Sequence, residues 1–121
     1  MIDKLKEYQQ IDTNILKEVS CGNNDLISDL LQMFTRQAPI FAEQLESLYA
    51  CKDFVSLSKL AHKIKGSAAT LGICHLVAKM KELENSAKEE DKNNTCRELI
   101  ELFKTTSQSA IVELNYYLNR Q

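Results

Sequence analysis

Only three glycines and one proline punctuate this 121-residue chain. A sheet of hairpins would need many more, because tight reversals call for glycine, proline, asparagine or aspartate at set positions. The apolar residues point the same way. From Asp25 to about Ala50, Ile27, Leu30, Leu31, Phe34, Ala38, Phe41, Leu45 and Leu48 recur three and four apart, the spacing of one helical face. Pro39 falls inside this run. Proline costs a helix interior about 3 kcal/mol, yet the apolar phase passes through it without a slip. A kinked but continuous helix is expected, with two helices joined at Ala38-Pro39 as the fallback.

The flanking segments repeat the pattern. Ile11, Ile15, Leu16 and Val19 form one side of a short helix with Asp12 as its N-cap. Cys21-Gly22-Asn23-Asn24 breaks it, and Asn24 is expected to cap the long helix. After the tight link Cys51-Lys52, Asp53 caps a helix whose apolar stripe is Leu57, Leu60, Ile64, Ala68 and Leu71. It should stop near Leu71, with Gly72 in the left-handed conformation that favours glycine. Ile73, Leu76, Val77, Met80, Leu83 and Ala87 mark the next helix, and the polar stretch Lys88 to Asn94 reads as its frayed end and a loop. A last helix runs from about Thr95 to Leu118, with Leu99, Leu102, Phe103, Ala110, Leu114 and Tyr117 facing inward. The expectation is an all-α fold in one domain over residues 1–121. Its form is an antiparallel up-down four-helix bundle with a short additional N-terminal helix.

Composition excludes several classes of function. The net charge of −2 gives no general reason to bind nucleic acid, whose partners display a basic surface. No run approaches the roughly 18 apolar residues of a membrane span. Met1-Ile2-Asp3-Lys4-Leu5-Lys6-Glu7 lacks the apolar stretch of a secretory leader. A cytoplasmic location is the resulting expectation. Cys21, Cys51, Cys74 and Cys96 contain no Cys-x-x-Cys pair, so zinc or dithiol chemistry is not indicated. Reduced thiols, packed or half-exposed, fit such a chain.

One polar residue stands out against this background. At about 100° per residue, His62 lies roughly opposite the stripe of its own helix, flanked by Ser58, Lys59, Lys65, Gly66 and Ala69. Gly66-x5-Gly72 lacks the Lys-Ser/Thr of a phosphate-binding loop. Ser67 points about 140° away from His62, too far round the helix for a nucleophile-base pair. His75 lies on another helix, without metal-ligand spacing to His62. What remains is the imidazole itself, a nucleophile in its neutral form, with a pKa ordinarily near about 6.5. A phosphoryl carrier needs such an exposed ring, positive charge for the phosphoryl oxygens, and room for a partner's active site. Lys65 and Lys59 lie one turn to either side and Lys63 adds field from the flank. Gly66 costs the helix roughly 1 kcal/mol relative to alanine, a cost that close approach of another protein would offset.

At these residues the chain resembles a known family. His62-x-x-Lys65-Gly66-Ser67-Ala68-x-x-Leu71-Gly72 resembles the signature of histidine-containing phosphotransfer (HPt) domains of multistep phosphorelays. Gln37-Ala38-Pro39 resembles the family's polar-Ala-Pro step in the preceding helix, and Leu83-Glu84 its Leu-Glu pattern in the following one. The resemblance implies a four-helix bundle whose His62 accepts a phosphoryl group on Nε2 from a receiver-domain aspartyl phosphate. His62 would then pass it to another receiver in a two-component phosphorelay, without autonomous ATP-dependent kinase activity. It implies response-regulator receiver domains and a hybrid sensor histidine kinase as partners. No intrinsic cofactor is expected, with Mg2+ only in the partner receiver, and the protein is expected to be a monomer.

Carried over by position, Lys65 would stabilise the phosphoryl group and Gly66 would admit the receiver. Glu84 falls where some members have a glutamine near the ring, and Lys88 where some have an arginine that affects phosphohistidine stability. The docking surface would combine the His62 helix with the long helix before it, using exposed apolar residues near Phe34 or Ile40. The second reading is a non-catalytic helical adaptor that binds a signalling partner without phosphotransfer. An ATP-dependent kinase core fails on length, and Met1 with the compact length favours a freestanding protein over an excised kinase domain.

Overall fold

The first three helices begin where the sequence supplies a side-chain acceptor. The computed structural model describes residues 8–120. Among them it has α1 (Thr13–Ser20), α2 (Asn24–Ala50), α3 (Phe54–Thr70), α4 (Cys74–Lys88) and α5 (Cys96–Asn119). The stretch Met1–Glu7 lies outside the described residues. Asp12 accepts the amides of Asn14 and Ile15, as expected of an N-cap. The cap of α2 is Asn23 rather than Asn24. Gly22 at φ +82° turns the chain, so Asn23 is already the extended residue whose carboxamide reaches the amides of Asp25 and Leu26. Asp53 accepts the amide of Ser56 at the start of α3.

Lys88 to Asn94 is more ordered than a frayed end. Lys88 closes α4, and Glu90, Asp91 and Asn94 all take left-handed backbone conformations in the turns that follow. Asp91 is buried and accepts the amide of Cys96, doing for α5 what a local cap does elsewhere. Burial, with the Asp91 carboxylate beside it, pushes the Cys96 thiol up to about 12. Cys21, Cys51 and Cys74 are exposed, and all four thiols are free.

α2 runs unbroken through Pro39 and buries Ile27, Leu31, Phe34, Ala38, Phe41 and Leu45 along one side. It neighbours α3 and α5, and α4 neighbours the same two, so the four long helices surround a shared core. Links of three residues between α2 and α3 and between α3 and α4 force antiparallel neighbours. Along the α2–α5 seam, Tyr49 meets Arg97 and Glu46 meets Lys104, which is antiparallel register. The core positions differ from expectation in detail. Val19 is exposed and Leu60 and Leu102 are half-buried, whereas Ala61 and Ile100 are buried. No helix among the described residues is long and apolar enough to cross a membrane.

α1 covers one end of the bundle. The Asp12 amide donates to the Gly72 carbonyl at 2.8 Å, and the Glu113 carboxylate accepts the amides of Gln9, Gln10 and Ile11. Gly72 has φ +67°, and a Cβ there would stand 2.9 Å from the Asp12 carbonyl oxygen. This glycine is therefore required twice, for its conformation and for close approach.

Candidate phosphoacceptor site

α3 packs most extensively on α4, and that contact rotates its buried arc away from the sequence expectation. Ser58 and Ala61 are buried, small enough to bring the two helices close. The Ser58 hydroxyl donates to the Glu84 carbonyl at 3.2 Å. His62 therefore stands at the margin of the α3–α4 seam, not opposite the core, although its side chain is still 67% exposed. Lys65 is turned into the same seam and is half-buried.

The seam brings together residues far apart in sequence. His62 Nδ1 lies 3.1 Å from Glu84 Oε2, and Lys65 Nζ lies 3.0 Å from Glu84 Oε1. Lys88 Nζ adds a contact of 3.4 Å to Oε2. The Glu84 side chain is only 11% exposed. The Lys65 ammonium, with hydrogen bonds from His62 and Lys88, outweighs burial and holds the Glu84 carboxyl down to about 2.

That charge state fixes the imidazole. A carboxylate can only accept, so the atom 3.1 Å away must be Nδ1–H. In a neutral ring the proton on Nδ1 leaves the lone pair on Nε2. Nε2 has no hydrogen-bond partner among the described residues, and the ring is mostly in solvent. The arrangement presents an aligned nitrogen nucleophile.

The other predicted residues divide. Nothing lies within 4 Å of where a Cβ at Gly66 would stand, so the glycine is not imposed by neighbours within the fold. Lys59 is exposed beside His62. Lys63 is drawn the other way, its ammonium 5.9 Å above the Phe41 ring of α2. Phe34 is core and leaves the proposed contact surface, while Ile40 is 56% exposed with Met33 also exposed one heptad before it. Thr35, Ala42 and Glu43 flank the seam with α5, so helical spacing puts Met33, Gln37 and Ile40 on the opposite flank of α2, toward α3. Val55, exposed two turns before His62 on the same face of α3, went unremarked in the sequence. A valine in the first turn of a helix otherwise polar on that side was the available signal. His75 is exposed near the start of α4, and no three His, Cys, Asp or Glu side chains among the described residues gather to hold a metal.

Comparisons with known proteins bear on the fold and the family of this chain. The chain is similar to the crystal structure of histidine-containing phosphotransfer protein B (HptB) from Pseudomonas aeruginosa PAO1, with a TM-score of 0.84 and 22% identity. That similarity covers 95% of this chain and 99% of the other, and it shows a shared helical-bundle fold. No curated protein matches the sequence significantly. The Hpt domain profile matches residues 29–118, which hold all of α3 and α4 and most of α2 and α5. The chain therefore belongs to the Hpt domain family, the histidine phosphotransfer modules of phosphorelays.

Proposed function

We propose that His62 accepts a phosphoryl group on Nε2 from the aspartyl phosphate of a receiver domain and returns it to the aspartate of another. The observation that carries this reading is the Glu84 carboxylate at 3.1 Å from Nδ1, on a ring that is otherwise solvent-facing. In the forward step the Nε2 lone pair forms the N–P bond as the P–O bond to the aspartyl carboxylate breaks. The aspartate leaves as carboxylate, and the imidazole keeps its Nδ1 proton. Positive charge develops on the ring during attack, directly beside the fixed negative charge of Glu84. The reverse step removes that charge again, which suits a carrier.

Lys65 and Lys88 are held at the Glu84 carboxylate on the Nδ1 side of the ring. In this reading their flexible ammonium groups reach across to the phosphoryl oxygens once these arrive at Nε2. Lys59 adds an exposed cation one turn back. The flat surface at Gly66 admits the partner's active site, and Val55, Ile40 and Met33 provide its apolar contacts. In this reading the phosphoryl group comes from the receiver's aspartyl phosphate rather than from ATP, and Mg2+ is the receiver's. Incubation with a 32P-labelled receiver should transfer acid-labile, base-stable label to this chain, and His62→Gln should abolish it. Label retained in that variant, or signalling that survives it, contradicts the reading and favours an adaptor.

A further inference from the structure

The seam between α2 and α5 takes no part in the chemistry above. It lies across the bundle from the His62–Glu84 seam, since α2 and α4, and α3 and α5, are the diagonal pairs. Two cavities of about 410 Å³ and about 400 Å³ open along it. Both have Glu43 and Glu46 in their walls, so they adjoin as one groove. From Thr35 to Ala50 the groove follows α2 for about 22 Å, or about four helical turns. Its apolar floor includes Ala38, Pro39, Ala42, Ile100 and Ile111. Small side chains on α2 leave the seam unfilled.

Charge identifies what this groove fits. α3 and α4 carry six lysines against two glutamates, whereas α2 and α5 carry seven carboxylates against three cations. The groove itself is lined by Glu43, Glu46 and Glu101 against Arg97 and Lys104. Glu43 is exposed where the two cavities meet and has no ion-pair partner among the described residues. The groove already holds cations of its own. Lys104 bridges Glu46 at 2.6 Å and Glu101 at 3.1 Å, and the Arg97 guanidinium sits 5.4 Å over the Tyr49 ring. Pro39 has no N–H to give the Thr35 carbonyl, and both residues line the groove. Glu43 is therefore the carboxylate in the groove left to take a cationic donor from a partner.

We propose that the α2–α5 seam docks a cationic amphipathic helix of another protein, with its apolar stripe on the Ala42 and Ile111 floor and a lysine or arginine on Glu43. This inference stands apart from the phosphotransfer reading, because none of these residues touches His62 or Glu84. A protein bound there would hold the domain while a receiver reaches the opposite face.

The test is an amide NMR titration of the full chain with a synthetic amphipathic peptide of about five turns, leucine on one face and lysine on its flanks. Shifts are expected at Ala42, Glu43, Ser47, Ile100 and Ile111. Binding should weaken about tenfold or more in Glu43→Lys, and also when salt rises from about 50 mM to about 500 mM. Glu43 is exposed, and an unchanged thermal midpoint would show that the variant is folded. A twin peptide with glutamate for lysine should not bind, and His62→Gln should bind the cationic peptide unchanged. Shifts centred on α3 or on the Glu89 to Asp91 turn, or equal affinity in Glu43→Lys, would overturn the proposal. So would the same amides shifting when the protein alone is concentrated, which would make a second copy the occupant.

Discussion

Gly66 sits inside α3 with no positive φ and no neighbour pressing on it, so folding gains nothing from the missing methyl. Gly66→Ala should therefore stabilise the free protein by about 0.5–1 kcal/mol, read by denaturant unfolding. The same variant should slow transfer from a phosphorylated receiver by about tenfold, or about 1.4 kcal/mol of barrier. A variant both less stable and equally fast would contradict the access role. Glu84 gives a pH prediction. Its folded pKa of about 2 lies below the ordinary carboxylate value, so its stabilisation is present above about pH 4.5 and is lost as pH falls toward 2. Unfolding free energy measured against pH should fall across this window in the wild type and run flatter in Glu84→Gln. At this scale His62, Lys65 and Gly66 were legible because each departs from what an amphipathic helix needs. Glu84 was placed near the ring only by the family resemblance, because its contact with Nδ1 depends on how two helices rotate against each other and helical spacing alone does not give it.

Helix caps and breaks set the elements, and most of them were readable. Asp12, Asp53 and Gly72 act where their chemistry predicts, and the apolar phase through Pro39 correctly foretold one continuous α2. The cap at Asn23 was displaced by one residue because two adjacent asparagines offer the same side chain, and only the backbone turn at Gly22 separates them. The rotation of α3 came from Ser58 and Ala61, small residues whose burial depends on a partner helix that periodicity alone does not reveal. Gly72→Ala should cost at least about 1–2 kcal/mol in chemical denaturation, since it adds left-handed strain to the Asp12 contact. The Asp91–Cys96 contact at the start of α5 also has a readout. Iodoacetamide at mild alkaline pH should label Cys21, Cys51 and Cys74 in the folded protein, and Cys96 only on unfolding.

The whole molecule separates charge along its bundle, with lysines on the α3–α4 half and carboxylates on the α2–α5 half. The net charge of −2 conceals this, because the two halves nearly cancel. The fold class was legible from turn scarcity and helical spacing, but the division of charge emerges only once the helices are assigned neighbours. In the two proposals made above, the lysine-rich half meets the receiver and the carboxylate-rich half a cationic helix. Stopped-flow association with a phosphorylated receiver should slow several-fold as salt rises from about 50 mM to about 500 mM. The central claim is narrower: the carboxylate of Glu84 holds the proton on Nδ1 and leaves Nε2 of His62 to take the phosphoryl group. Heteronuclear 31P–15N NMR of the phosphorylated, ring-labelled protein tests it most directly. A phosphoramidate on Nε2 is the predicted result, and a phosphoryl group on Nδ1, or on any residue other than His62, would contradict it.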